Sequence, residues 1–167
     1  MSKKLLFIAL LLSLTMFGQG RRHERSVLHE VSNKDIVTAV YPNAVKVEKL
    51  NDFWYKIIDD KARILGFALS SMPYCKEVKG YNDVTPVMVI TDKKWKIQKV
   101  SLMSNRESPD WVRKLENCGF FNSWNGKTVM SAKNPNIDAR TGATCTALAV
   151  IRNVNFLLEN GSKNLPQ

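Results

Sequence analysis

Apolar and polar residues alternate through the middle of the chain, with the period of two that half-buried β-strands require. Alternation at Val45 and Val47, followed by two further strand-like apolar runs, predicts three consecutive strands joined by short polar turns, over residues 44–50, 53–58 and 63–70. Asp-containing turns between consecutive strands favour an antiparallel meander. Two further runs, residues 84–91 and 96–103, predict a hairpin with its turn at residues 92–94.

Three other segments repeat their apolar residues at the spacing of amphipathic helices. The first follows Ser32 and ends before a proline. The second opens with Ser108 as its N-cap and Pro109 in its first turn. The third runs from about Gly142 to Gly161, the predicted C-terminal cap. The predicted order is one helix, then the strands, then two further helices. This order predicts a single-domain α+β fold, in which the helices pack on one antiparallel sheet made of a meander plus a hairpin.

Residues 1–20 have the pattern of a secretory signal peptide. Lys3 and Lys4 precede an apolar run over residues 5–17, and small or polar residues follow at 18–20. We expect cleavage at the end of this segment, and its retention as an N-terminal anchor is the alternative. The protein is therefore expected to be exported, either to the periplasm or to the outer face of the cytoplasmic membrane.

The rest of the chain divides into four parts by composition and predicted elements. A polar, poorly ordered N-terminal segment is expected over residues 21–30. The first helix and the meander follow over residues 31–79. A core domain is expected over residues 80–160, and a short C-terminal tail over residues 161–167.

Lysines are spread along the whole chain, which has a formal net charge of +10. A positive charge suits acidic partners, namely anionic lipid headgroups, an acidic redox protein or nucleic acid. Export argues against nucleic acid. The scattered lysines favour a basic solubilising surface, with association at a membrane surface as the alternative.

The three cysteines, Cys75, Cys118 and Cys145, are an odd number for an exported protein. They form no Cys-x-x-Cys motif, and both histidines lie near the start of the chain, so we expect neither a metal site nor a Cys-His catalytic pair. A disulfide between Cys75 and Cys118 stays open, and we expect Cys145 to be a packed small residue.

A phosphate site is predicted where the last helix begins. The first turn of a helix has free backbone N–H groups and the positive end of the macrodipole, and both attract anions. Gly142 and Ala143 allow a ligand close to the backbone, and the hydroxyls of Thr141, Thr144 and Thr146 add polar contacts. The simpler interpretation is that one of these threonines is only an N-cap.

The string Asp-x-x-Thr-Gly-Ala-Thr-x-Thr over residues 138–146 resembles the flavinylation motif of the FMN-binding domain family. Further parts of the family pattern occur in the same order: Gly80-Tyr81-Asn82, Glu107-Ser108-Pro109, and Phe121 followed by Gly126-Lys127. The resemblance covers roughly residues 80–159. Asn82 and Ser108 depart from the family pattern, where a small residue and Thr are usual.

The resemblance implies an FMN cofactor, joined by a flavin transferase through its phosphate to the hydroxyl of Thr146. It also implies that Glu107 and Ser108 lie at the cofactor, with the Glu107 carboxylate accepting hydrogen bonds from the flavin. A helix-start role for Glu107 is the structural alternative. The aromatic side chains near residue 120 either stack on the flavin or pack in the core, and core packing is favoured: Trp111, Phe120, Phe121 and Trp124.

The resemblance implies an exported electron carrier whose partner is a membrane or periplasmic redox protein. Two alternatives stay open at this point. One is a non-catalytic exported binding domain with no FMN or with loosely bound FMN, and the other is a small flavin reductase that acts on a soluble substrate.

Overall fold

The computed structural model describes residues 33–132 and 144–166. Four helices occur in these ranges: α1 Asn33–Thr38, α2 Pro109–Asn117, α3 Val129–Ala132 and α4 Thr144–Lys163. The strands are β1 Ala44–Lys49, β2 Trp54–Asp59, β3 Ile64–Ser70, β4 Val87–Thr91 and β5 Ile97–Leu102. Two 3₁₀ segments, Cys75–Glu77 and Phe120–Trp124, complete the described elements. None of the helices in the described ranges is long and apolar enough to cross a membrane.

The five strands form one antiparallel sheet in the order β1-β2-β3-β4-β5. The predicted α+β fold, with a meander plus a hairpin and packed helices, is confirmed. Strand β4 begins three residues later than predicted. Pro86 has no N–H to donate to a neighbouring strand, and Val84 forms only an isolated bridge with Lys79.

The sheet has a core on each face. On one face, α2 and α4 cover the larger core, whose buried members include Trp54, Leu69, Val87, Leu115 and Leu157. On the other face, the short helix α1 covers a smaller core with only two of its own buried side chains, Ile36 and Val37. Period-two alternation places neighbouring residues of one strand in opposite cores.

Helix α4 crosses the strands on the larger core. The Asn153 side-chain amide donates to the Thr85 carbonyl at 2.8 Å, and the Trp54 indole donates to the Gly161 carbonyl at 3.0 Å. The prediction that Gly161 caps the helix is wrong, because α4 continues to Lys163. A Cβ on Gly161 would lie 3.0 Å from Leu69 Cδ1, so the glycine permits close packing of the helix on the sheet.

The β2–β3 and β4–β5 hairpins share one turn construction. In each turn, the side-chain oxygen of an Asp accepts two backbone N–H groups: Asp59 from Lys61 and Arg63, and Asp92 from Lys94 and Lys96. Burial acts to raise the pKa of Asp59, but the hydrogen bonds from Arg63 and Lys61 outweigh it and hold that pKa below its ordinary value. The stability that Asp59 contributes is therefore present above its unfolded-state pKa and is lost as pH falls through the folded-state value.

Each of these turns also contains one residue in the left-handed backbone region. Ala62 has φ 60° and Trp95 has φ 62°. A side chain in this region costs about 1–2 kcal/mol, and glycine avoids the cost. At Trp95 the ring stacks on Phe67 with centroids 4.5 Å apart, which offsets the backbone strain, whereas the exposed Ala62 has no such contact.

Ala62→Gly is expected to raise the free energy of unfolding by about 0.5–1 kcal/mol, because it removes the left-handed strain at φ 60°. Denaturant unfolding followed by circular dichroism measures the change. Ala39→Gly is the matched control, since Ala39 is also exposed but has negative φ. That variant should lose stability by a similar amount, and a loss at Ala62 as well would contradict the strain argument.

Candidate functional site

The carboxylate of Glu107 is fully buried between β5 and α2. Its Oε1 accepts the backbone N–H groups of Asn82 at 2.9 Å and Asp83 at 3.2 Å. Its Oε2 accepts the Tyr81 N–H at 3.0 Å and the hydroxyl of Thr146. A carboxylate has about four acceptor positions, so these four donors fill it. Glu107 therefore joins the 81–83 loop to the first turn of α4.

Two neighbouring residues allow this geometry. The Asn105 side chain accepts the Glu107 N–H at 3.0 Å and donates to the Met103 carbonyl at 2.8 Å, which fixes the loop after β5. A Cβ on Gly80 would lie 2.8 Å from the Glu107 carboxyl carbon and 2.7 Å from Thr85 Cγ2. Glycine at position 80 therefore lets the loop approach the carboxylate.

The expected direct contact between the Glu107 carboxylate and a flavin does not fit this arrangement. All of its acceptor positions are occupied by donors from the chain itself. The structural alternative was that Glu107 only marks the start of a helix. It does not explain the observed contacts, because Glu107 also joins two segments that are distant in sequence. Glu107 is a positioning residue of the site.

The two threonines of α4 have different surroundings. Thr146 is 1% exposed and its hydroxyl donates to Glu107, whereas Thr144, the first residue of the helix, is exposed. The expected partners Thr141, Gly142 and Ala143 lie outside the described residues, as does the preceding Asp of the motif.

Ser108 lies beside this junction, at the start of α2. It occupies the predicted N-cap position, and its carbonyl accepts the N–H groups of Trp111 at 3.0 Å and Val112 at 3.1 Å. Its half-buried hydroxyl makes no capping hydrogen bond, so the side-chain cap that the sequence suggested is not formed.

The aromatic residues near position 120 pack in the core, as favoured from the sequence. Phe120 is 4% exposed and Trp124 is 0% exposed, and Trp111 and Phe121 pack partly buried against the same core. Tyr81 is a candidate site residue that the sequence did not indicate. Tyr81 is 70% exposed although its backbone N–H binds Glu107, so its ring is open to solvent beside the junction. Its place in the Gly80-Tyr81-Asn82 pattern is the sequence feature that could have indicated this role.

A second missed residue is Thr85, which follows the same loop. Its side-chain oxygen is buried and has no hydrogen-bond partner among the described residues. The Thr85 carbonyl accepts from Asn153, which ties the loop to α4 by a second contact. An unpaired buried hydroxyl and the exposed start of a long helix fit a ligand that has both a phosphate and hydrogen-bonding groups.

The cysteines are free thiols, so the disulfide between Cys75 and Cys118 is not formed. Cys75 is buried, and this burial raises the pKa of its thiol. The prediction that Cys145 is packed is wrong, because it is exposed on the solvent face of α4 while Thr146 and Ala147 face the core. In the described ranges, no group of three or more His, Cys, Asp or Glu residues is arranged to hold a metal ion.

Glu107→Gln is expected to lower the free energy of unfolding by about 2–4 kcal/mol. The amide is nearly isosteric, but its nitrogen cannot accept the N–H and O–H donors that face the carboxylate. Denaturant unfolding measures the loss. The exposed Glu116→Gln on α2 is the matched control and should change stability by no more than about 0.5 kcal/mol. Equal effects of the two variants would show that the Glu107 junction is not stabilising.

Comparison with known proteins agrees with the resemblance read from the sequence. Residues 80–159 match the FMN-binding domain family. No curated protein matches the chain. Among solved structures, the crystal structure of NqrC from Shewanella oneidensis is similar with a TM-score of 0.42 and 14% sequence identity, over 81% of this chain and 79% of that one. The family match alone shows that residues 80–159 are an FMN-binding domain, and its cofactor is FMN.

Proposed function

We propose that this protein is an exported electron carrier that holds FMN through a phosphoester bond to a threonine at the start of α4. The family match over residues 80–159 supports the proposal, because it includes every part of the Glu107 junction. The N-terminal sequence supports export, to the periplasm or the outer face of the cytoplasmic membrane.

The surroundings of the two threonines favour Thr144 as the attachment residue, in place of Thr146. A flavin transferase must reach the hydroxyl that it modifies. The Thr146 hydroxyl is buried and donates to Glu107, whereas Thr144 is exposed at the end of the helix. We therefore assign the phosphoester to Thr144 and a positioning role to Thr146, whose bond to Glu107 holds the first turn of α4 in place.

The bond joins the Thr144 side-chain oxygen to the FMN phosphorus, and the product differs from protein plus FMN by the loss of one water. The remaining phosphate charge would lie at the N-terminus of α4, where the macrodipole stabilises an anion and backbone N–H groups of the first turn would donate to it. The unpaired Thr85 hydroxyl and the Ser108 hydroxyl would offer hydrogen bonds. The exposed ring of Tyr81 would offer an apolar face.

FMN supplies one- and two-electron transfer when it is bound. The chain tethers it, surrounds its phosphate and keeps the start of α4 fixed through Glu107. A covalent tether suits an exported protein, since a cofactor that dissociates outside the cytoplasm is not readily replaced. The partner would be a membrane or periplasmic redox protein that exchanges electrons with the flavin.

Intact-mass measurement after co-expression with a flavin transferase tests the attachment residue. The unmodified sequence is expected to gain the mass of one FMN less one water, with flavin absorbance that survives denaturation. Thr144→Ala should abolish the adduct, whereas Thr146→Val should retain it. Thr38→Ala, on α1, is the control for a threonine outside the motif and should be fully modified.

The opposite pattern, an adduct on Thr144→Ala and none on Thr146→Val, would assign the bond to Thr146. The absence of any adduct on the unmodified sequence would contradict covalent attachment and favour a binding domain that holds FMN loosely or not at all. Comparison of the mass with that of the full chain also tests removal of residues 1–20.

A further inference from the structure

The tips of the β2–β3 and β4–β5 hairpins lie at the same end of the sheet. Thr91, at the end of β4, pairs with Phe67 in the middle of β3 and with Ile97 at the start of β5, so Ile64 at the start of β3 lies beyond the end of β4 on the same side as the β4–β5 turn. Val87 and Leu102 pair at the opposite end, next to the Glu107 junction. A five-residue strand is about 17 Å long, so the hairpin tips are separated from the Glu107 junction by about that distance.

The tips carry a group of exposed basic side chains, which we call the tip surface: Lys61, Arg63, Lys93, Lys94, Lys96 and Lys127. Five of them belong to the two turns. Lys127 adjoins them because its carbonyl accepts the Ile97 N–H at 2.8 Å.

Among the described residues, the acidic side chains near the tip surface form no ion pair with its lysines. The carboxylates of Asp59 and Asp92 accept backbone N–H groups inside the turns, and Asp59 also pairs with Arg63 at 2.7 Å. Asp60 is the one other acidic residue in the two turns. None of the five lysines forms an ion pair with another described residue. Six cations against three carboxylates leave a net positive surface.

We propose that the tip surface binds the face of a bilayer rich in anionic lipid headgroups. Lysine ammonium groups are compact charges on flexible stems, and their attraction to an anionic membrane adds up within a Debye length of the surface. A stereospecific protein interface usually depends on exposed Trp, Tyr or Arg anchors. Here the Trp95 ring is stacked on Phe67 and the guanidinium of Arg63 is held by Asp59, so a diffuse anionic layer fits better than an acidic protein.

Binding through the tips would turn the opposite end of the sheet, with Thr144 and Glu107, away from the lipid. The start of α4 would then stay open to a soluble partner. The proposal depends on the charge and position of the tips, and it holds whether or not FMN is attached covalently.

Partitioning of the full chain onto vesicles tests the proposal. The probes are vesicles of phosphatidylcholine alone and vesicles of equal parts phosphatidylcholine and phosphatidylglycerol. The ratio of the two partition coefficients isolates the electrostatic part, because insertion of the apolar residues 5–17 is common to both vesicles. Lys93→Glu/Lys94→Glu should lower this ratio at least about tenfold, since each lysine near an anionic surface strengthens binding severalfold.

Lys76→Glu/Lys79→Glu is the matched control, with the same change in net charge on exposed residues before the 81–83 loop. This control variant should change the ratio by less than about twofold.

Raising salt from about 0.1 M to about 1 M should abolish the preference of the unmodified chain for anionic vesicles. Equal losses in the two variants would show an effect of net charge alone. No preference of the unmodified chain for anionic vesicles would overturn the lipid assignment and favour an acidic protein. Unchanged circular dichroism melting of both variants shows that folding is intact.

Discussion

The buried carboxylate of Glu107 holds together the 81–83 loop, the end of β5 and the start of α4, and this end of the protein depends on its hydrogen bonds. A buried charge without partners is severely destabilising, and four internal donors compensate it here. The donors come from the 81–83 loop and from α4, which are far apart in sequence. One side chain therefore fixes the relative positions of the loop, the end of β5 and the start of the helix. Gly80 leaves the space that this carboxylate requires. Asn105 fixes the backbone of Glu107 by accepting its N–H.

The sheet separates two surfaces with different chemistry. At one end lie the exposed Thr144, the open ring of Tyr81 and the unpaired hydroxyl of Thr85, all beside or near the Glu107 junction. At the other end lie the lysines of the two hairpin tips. Helix α4 crosses the strands and is tied to the sheet at Thr85 and Trp54, so its first turn has a fixed place relative to the strands. A cofactor attached to that turn would be held at one end of a rigid support.

Local patterns were sufficient to predict most of the fold. Strand-like apolar runs between polar turns predicted the five strands, and the Ser108-Pro109 start predicted α2, because these signals depend on neighbouring residues. Gly161 was misread as a cap, since only the packing of α4 on Leu69 and Trp54 shows why glycine is needed inside the helix. The exposure of Cys145 likewise depends on which face of α4 meets the core.

The motif predicts a cofactor site at the start of α4, but it does not distinguish the roles that we propose for its threonines. Thr146 lies four residues before the buried Val150 and seven before the buried Asn153, so helical spacing places it on the buried face. That signal was present in the sequence. The bond between Thr146 and Glu107 was not predictable in the same way, because it joins residues 39 positions apart and needs the tertiary fold.

A double-mutant cycle between Glu107 and Thr146 tests the central claim most directly. Glu107→Gln, Thr146→Val and the double variant would be unfolded in denaturant under the same conditions. If the carboxylate and the hydroxyl are bonded in the core, the coupling free energy should be about 1–3 kcal/mol, because removing one partner already removes the interaction. A coupling within about 0.3 kcal/mol of zero would mean that the two effects are independent, and it would contradict the junction described here.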